Sequence, residues 1–230
     1  MRLRVTEVVM TRVMLGMVGV WIGGSLVSGQ GAVDRNTIER PFEARGCVRL
    51  DLASGDYDLR AGDDDRILVR WSADDEVRVK DLRKLSVDVH VDGRMATVLT
   101  DGPAKHVHFT IEMPARSDVY LRMKAGDVDM RGIEGNKDIR MTAGDLTIGV
   151  RPDTLWYAHG SVTFGDIDAS PLGIETGGIK RSFEWIGGGK YTLDARLFAG
   201  DLKLAGKPAV NRVSAAPASS SPARTRTRSR

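Results

Sequence analysis

The sequence predicts an all-β fold, a β-solenoid- or β-roll-like stack of short strands with Gly-Asp turns, preceded by an N-terminal part of longer alternating strands. Three observations carry that expectation. Apolar residues recur at every second position through the first half of the chain, which places one face of each strand in a core and the other in water. Turn residues separate these runs. A short Gly-Asp unit then recurs through the second half.

The alternating runs come first in the chain. Val48, Leu50 and Leu52 form one, Ile67, Val69 and Trp71 the next, followed by Val87, Val89 and Val91. Val107, Phe109, Ile111 and Met113 continue the series, as do Val119, Leu121 and Met123. Polar residues such as Arg49, Asp51, Arg70, Asp88, His90, His108 and Arg122 lie between them. Asp63-Asp64-Asp65, Asp92-Gly93 and Asp101-Gly102-Pro103 read as turns, and Asp92-Gly93 between two alternating runs is a hairpin signal. Only residues 76–85 suit a short, solvated turn of helix or a loop.

The repeated unit is Gly-Asp, an apolar residue, a polar one, and usually a second apolar one. Its copies begin at Gly55-Asp56, Gly126-Asp127, Gly144-Asp145, Gly165-Asp166 and Gly200-Asp201. The last four are separated by 18, 21 and 35 residues, and the glycine-rich stretch Thr176–Ile179 is the candidate for a degenerate copy in the long gap. Glycine allows the positive φ of a tight corner, and aspartate caps a turn by bonding its own backbone. A period near 20 residues suits one coil stacked on its neighbours, because a single coil cannot bury its apolar face.

Both ends differ from this body. Residues 1–30 begin with Arg2, Arg4 and Arg12, run uncharged from Val13 to Val27, and exit through Ser28, Gly29 and Gln30. That is the pattern of a secretory signal peptide, the competing reading being a retained membrane anchor. Residues 33–208 are expected to be the all-β domain. Residues 209–230 are Ala, Ser, Pro, Thr and Arg, with Arg224, Arg226, Arg228 and Arg230 at the end, and are expected to be a disordered tail. Without those four arginines the rest of the chain, whose formal net charge is +3 with them, is slightly negative, so the charge does not argue for specific nucleic-acid binding by the fold. The tail is a solvated end or a weak contact for anionic surfaces. The one cysteine, Cys47, excludes an internal disulfide and reads as a small core residue.

One stretch resembles a known family. Met113-Pro114-Ala115-Arg116-Ser117-Asp118-Val119, leading to Gly126-Asp127-Val128 with Gly132-Ile133-Glu134-Gly135-Asn136 between repeats, is similar to a bacterial family of candidate adhesins, a domain of unknown function with Gly-Asp-Val β-repeats. The resemblance covers about residues 40–206. It implies a β-solenoid-like, envelope-exposed domain and brings no catalytic residues with it.

Chemistry is sparse elsewhere. His106-x-His108 places two imidazoles on one strand face, the only spacing suited to a metal, with a wet face beside Lys105 as the simpler reading; no metal or other cofactor is assigned. The Gly-Asp copies lack the nine-residue spacing of calcium repeats. The pairs Asp56/Asp58, Asp127/Asp129 and Asp166/Asp168 recur with the scaffold, which favours a turn role over an acid–base pair. No phosphate loop or nucleophile elbow is present. Trp156-Tyr157 and Phe183-Glu184-Trp185 suit packing or a sugar-stacking surface. The function expected is an exported, non-enzymatic module of the cell envelope, periplasm or cell surface, binding an unidentified protein or an envelope polysaccharide. The alternative is a carbohydrate-active enzyme on a β-helix.

Overall fold

The structure, a computed structural model, describes residues 36–73, 84–102, 107–176 and 179–206. The expected signal segment (1–30), the arginine tail (209–230) and most of the expected helical turn (76–85) lie outside the described residues. Within them, alternation becomes strand almost everywhere. In chain order the strands are β1 (Thr37–Pro41), β2 (Cys47–Leu52), β3 (Asp56–Gly62), β4 (Arg66–Ala73), β5 (Ser86–Asp92), β6 (Met95–Asp101), β7 (Val107–Pro114), β8 (Asp118–Ala125) and β9 (Val128–Arg131). They continue as β10 (Lys137–Ala143), β11 (Leu146–Gly149), β12 (Leu155–Phe164), β13 (Ile167–Ala169), β14 (Ile174–Thr176), β15 (Ile179–Ile186), β16 (Tyr191–Ala199) and β17 (Leu202–Ala205). Two short 3-10 turns, Pro152–Thr154 and Ser170–Leu172, follow β11 and β13.

These strands form two mixed sheets. One runs β1-β4-β7-β3-β9-β11-β17-β13-β14, the other β15-β12-β16-β10-β8-β2-β6-β5. At each Gly-Asp copy the chain leaves the eight-stranded sheet and enters the nine-stranded one: β2 to β3, β8 to β9, β10 to β11, β12 to β13, β16 to β17. Adjacent pairs lie parallel to one another in both sheets. The spatial order is not the chain order. β16 and β17 sit between the β10/β11 pair and the β12/β13 pair. The 35-residue gap has its cause here. β14 and β15 run back antiparallel along the outer sides of β13 and β12, so the chain returns before β16 is laid down. Gly177 and Gly178, within the expected degenerate copy, lie outside the described residues.

The inward faces meet in one core. Val48, Leu50, Leu59, Ile67, Val98, Phe109, Ile111, Val119, Leu121, Met130, Ile139, Leu146 and Ile148 are all essentially inaccessible. Period-two burial is the direct outcome of the period-two sequence: β8 alternates Val119, Leu121, Met123 inward and Tyr120, Arg122, Lys124 outward. Two details show how the core is completed. Gly160 leaves a gap at an inward position of β12, and the Phe183 ring from β15 fills it, lying 2.3 Å from where a Cβ on Gly160 would stand. Tyr57 stacks on Phe109 at 4.5 Å and directs its hydroxyl to Thr100 Oγ1 at 2.8 Å across the two sheets. Cys47 departs from expectation. It is half-buried on the outward side of β2, because Val48, Leu50 and Leu52 take the inward positions.

Candidate functional site

The Gly-Asp corners stack on one another. A Cβ on Gly126 would stand 2.0 Å from the Gly55 carbonyl oxygen, one on Gly144 2.0 Å from that of Gly126, one on Gly200 2.1 Å from that of Gly144, and one on Gly165 2.1 Å from that of Gly200. The last four glycines in that ladder have φ between +111° and +140°, a region closed to most side chains. Three of the corner aspartates bond a neighbouring corner. Asp145 N–H donates to Asp127 Oδ1, Asp201 N–H to Asp145 Oδ1, and Asp166 N–H to Asp201 Oδ1, each at 2.9 Å. Each carboxylate therefore ties one corner to the next. A second ladder stands where strands begin: Asn136 N–H donates to Asp118 Oδ1 at 2.8 Å, and Thr192 N–H to Asn136 Oδ1 at 3.0 Å.

The second aspartates of the recurring pairs are also committed to the scaffold. Asp58 pairs with Arg60, and Asp129 with Arg131. Asp168 accepts the Ser170 N–H at 3.0 Å, and hydrogen bonding from Ser170 holds its carboxyl below the usual range. Asp56 lies beside His108, with Nδ1 3.5 Å from Oδ2. His106 is outside the described residues. His90 on β5 and His159 on β12 lie toward opposite edges of the eight-stranded sheet, whereas His108 is in the other sheet. Among the described residues no group of three or more His, Cys, Asp or Glu is placed to hold a metal ion. Burial, and then Asp118, push the Cys47 thiol up, away from a thiolate. No helix of the described residues is long and apolar enough to cross a membrane.

The outer face of the eight-stranded sheet carries a regular array of side chains. Arg122, Arg140 and Arg196 stand in register on β8, β10 and β16, hence about 4.8 Å apart from strand to strand. Beside them runs a second row, Tyr120, Asp138, Asp194, His159 and Glu184, in register across β8, β10, β16, β12 and β15. The rows cross-link: Arg122 to Asp138 at 3.1 Å, Arg140 to Asp138 at 3.4 Å, Arg196 to Asp194 at 2.7 Å, and His159 Nδ1 to Asp194 at 2.9 Å. Burial raises the Asp194 carboxyl, but hydrogen bonds from Arg196 and His159 outweigh it and leave the group below its usual range. At the corner end of this face Phe164 and Phe198 make an exposed edge-to-face pair at 5.3 Å. Of the late aromatics, Trp156 is exposed, Phe183 is buried, and Trp185 packs partly against the core.

Sequence reasoning missed one residue. Lys137 is 93 % buried, at the first inward position of β10. Burial pushes its ammonium down to about 8, with Asp118 and Glu134 pulling the other way. The signal was available. Aligning the repeats on Gly-Asp puts Lys137 level with Val48, Val119, Ala158 and Leu193, all apolar.

In sequence, no family model matches the chain and no curated protein matches it. Among solved structures, the chain is similar to a candidate cell adhesion protein from Clostridium sporogenes ATCC 15579, at 13% identity over 74% of this chain and 99% of that one, with a TM-score of 0.45. It is also similar to candidate adhesins from Bacteroides fragilis NCTC 9343 (10% identity, 74% of this chain and 98% of that one, TM-score 0.28) and Parabacteroides merdae ATCC 43184 (12%, 75% and 78%, 0.27). At TM-scores this low the likenesses carry no argument, and function is read from the chain's own surface.

Proposed function

We propose that this chain is an exported, non-catalytic envelope protein acting as an adhesin-like binding or structural module, its strand pairs forming a short solenoid-like stack. The observation that supports the binding role is the outer face of the eight-stranded sheet. In-register arginines on adjacent strands put like charges side by side, here offset by their pairing with Asp138 and Asp194. The core does not need Arg122, Arg140 and Arg196, since their inward neighbours already bury it. A flat array of cations and carboxylates repeating about every 4.8 Å suits an extended partner, a protein strand or an envelope polysaccharide, contacted over several strands at once. The basic, apolar start of the chain supports export.

Two measurements test this. Fractionation of producing cells with N-terminal sequencing should yield a mature chain beginning between residues 26 and 33 in an envelope or secreted fraction. An intact Met1 in the cytoplasm would overturn the export reading. Binding of the mature chain to isolated envelope polysaccharide should weaken at least tenfold in the triple variant R122Q/R140Q/R196Q. Unchanged binding in that variant would remove the face from the proposal.

A further inference from the structure

The repeat makes Lys137 conspicuous. Seven residues before four of the five Gly-Asp corners the chain places an inward apolar side chain, and Val119 and Leu193, paired with Lys137 on either side, are essentially inaccessible. A lysine in that column lowers the burial the scaffold otherwise maximises, the kind of local violation that accompanies a functional site. Its ammonium carries three donors, and one of them reaches the Gly135 carbonyl oxygen at 3.1 Å. The nearby carboxylates are engaged elsewhere. Asp118 Oδ1 accepts from the Asn136 N–H and Nδ2, and Glu134 pairs with Arg151 at 2.8 Å.

The lysine lines a cavity of about 260 Å3 at the end of the core opposite the Gly-Asp corner. Both sheets contribute to it. Ile133, Val150, Leu155 and Leu193 form apolar walls, and the Glu134–Arg151 pair stands among its lining groups. A largely apolar wall with one buried cation is the composition of a small-molecule site, in which apolar contacts supply area and a charge orients the ligand.

We propose that Lys137 and this cavity bind a small organic carboxylate with an apolar body. The carboxylate accepts the ammonium donors that the protein leaves uncommitted, and the body lies against Ile133, Leu155 and Leu193. Arg151, paired with Glu134 and Asp153, stands beside it. This site is separate from the outer face and goes beyond the adhesin-like reading, so either stands or falls alone.

The test is calorimetric titration of the full chain with sodium benzoate and sodium octanoate, and with benzamide and octanamide as neutral counterparts. At pH 7 at least one acid should bind with one-to-one stoichiometry, and its amide at least tenfold more weakly. Replacing the lysine by the kind of residue its neighbours carry, K137M, should weaken acid binding at least tenfold without lowering the urea midpoint. The groups facing Lys137 are Asp118 on β8, Glu134 before β10, Arg151 after β11 and Tyr191 on β16. Lysine deprotonation therefore dominates between pH 7 and 10, and affinity should be level to about pH 8 and then fall about tenfold per unit. On the unaltered chain, the Lys137 Cε resonance should titrate at higher pH when the acid is bound. Absence of saturable acid binding, equal binding of the amide, undiminished binding by folded K137M, or an unmoved Lys137 titration would each overturn the proposal.

Discussion

Substituting Gly144 by alanine probes the corner ladder directly. Gly144 has φ +111°, and its added Cβ would stand 2.0 Å from the Gly126 carbonyl oxygen and 2.7 Å from the carbonyl carbon. Both are backbone atoms, so no side chain can swing aside. Positive φ alone costs an L-residue about 1–2 kcal/mol. Relieving the clash requires the corners to part. The bonds Gly126 N–H to Ala143 O, Val128 N–H to Asp145 O and Asp145 N–H to Asp127 Oδ1 hold them together at 2.9–3.1 Å. Losing two or three of these adds roughly 1 kcal/mol each, giving about 3–5 kcal/mol in all, a large part of a typical domain's stability. Gly93, in the β5–β6 hairpin, is the control: φ is +53° and nothing lies within 4 Å of its added Cβ, so G93A carries only the conformational cost of about 1–2 kcal/mol. Urea unfolding at pH 7, read by tryptophan fluorescence and analysed by linear extrapolation, compares the two. If G144A lies within about 1 kcal/mol of G93A, the stacked corners are not the rigid seam described here.

Two further outcomes are expected. D145A removes the acceptor for the Asp201 N–H and should cost about 1 kcal/mol, whereas D145N keeps a carbonyl oxygen in place and should cost a few tenths; the same urea titration checks both. Lys137 predicts a pH effect of definite sign. Its proton leaves the folded chain near pH 8 and the unfolded chain near 10.5, so between those values the unfolded state binds more protons and stability rises with pH. A difference of that size corresponds to about 3 kcal/mol, visible as a stability advantage of K137M over the unaltered chain at pH 7 that shrinks by pH 10.5.

The all-β class, the inward residues of β2, β4, β5, β7 and β8 and the hairpin at Asp92-Gly93 were legible in the sequence. Each rests on a local rule: period two for a half-buried strand, and glycine where φ must be positive. Less was read from β12 and β16, although Leu193, Ala195 and Leu197 alternate as clearly as Val119, Leu121 and Met123. The turn chemistry was misread in one respect. The corner aspartates were expected to bond their own backbone, and Asp127, Asp145 and Asp201 bond a neighbouring corner.

Tertiary structure alone decided which corners are neighbours. Gly144 touches Gly200, 56 residues on, rather than Gly165, because β14 and β15 double back along the edge and β16 enters between strands already apart in the chain. No local pattern encodes that choice; it depends on which inward faces fit, as when Phe183 fills the space above Gly160. The same holds for the outer face and for Lys137. The residues of Arg122, Arg140 and Arg196 are visible one by one in the sequence, but strand pairing alone sets them in a row. Lys137 reads as an ordinary charged residue until its neighbours prove to be Val119 and Leu193 and its column proves to face the core. Local sequence sets the backbone geometry and the side each residue faces, because those are short-range steric effects. Adjacency between distant strands is a property of the whole packed core, and the candidate sites are made of adjacency.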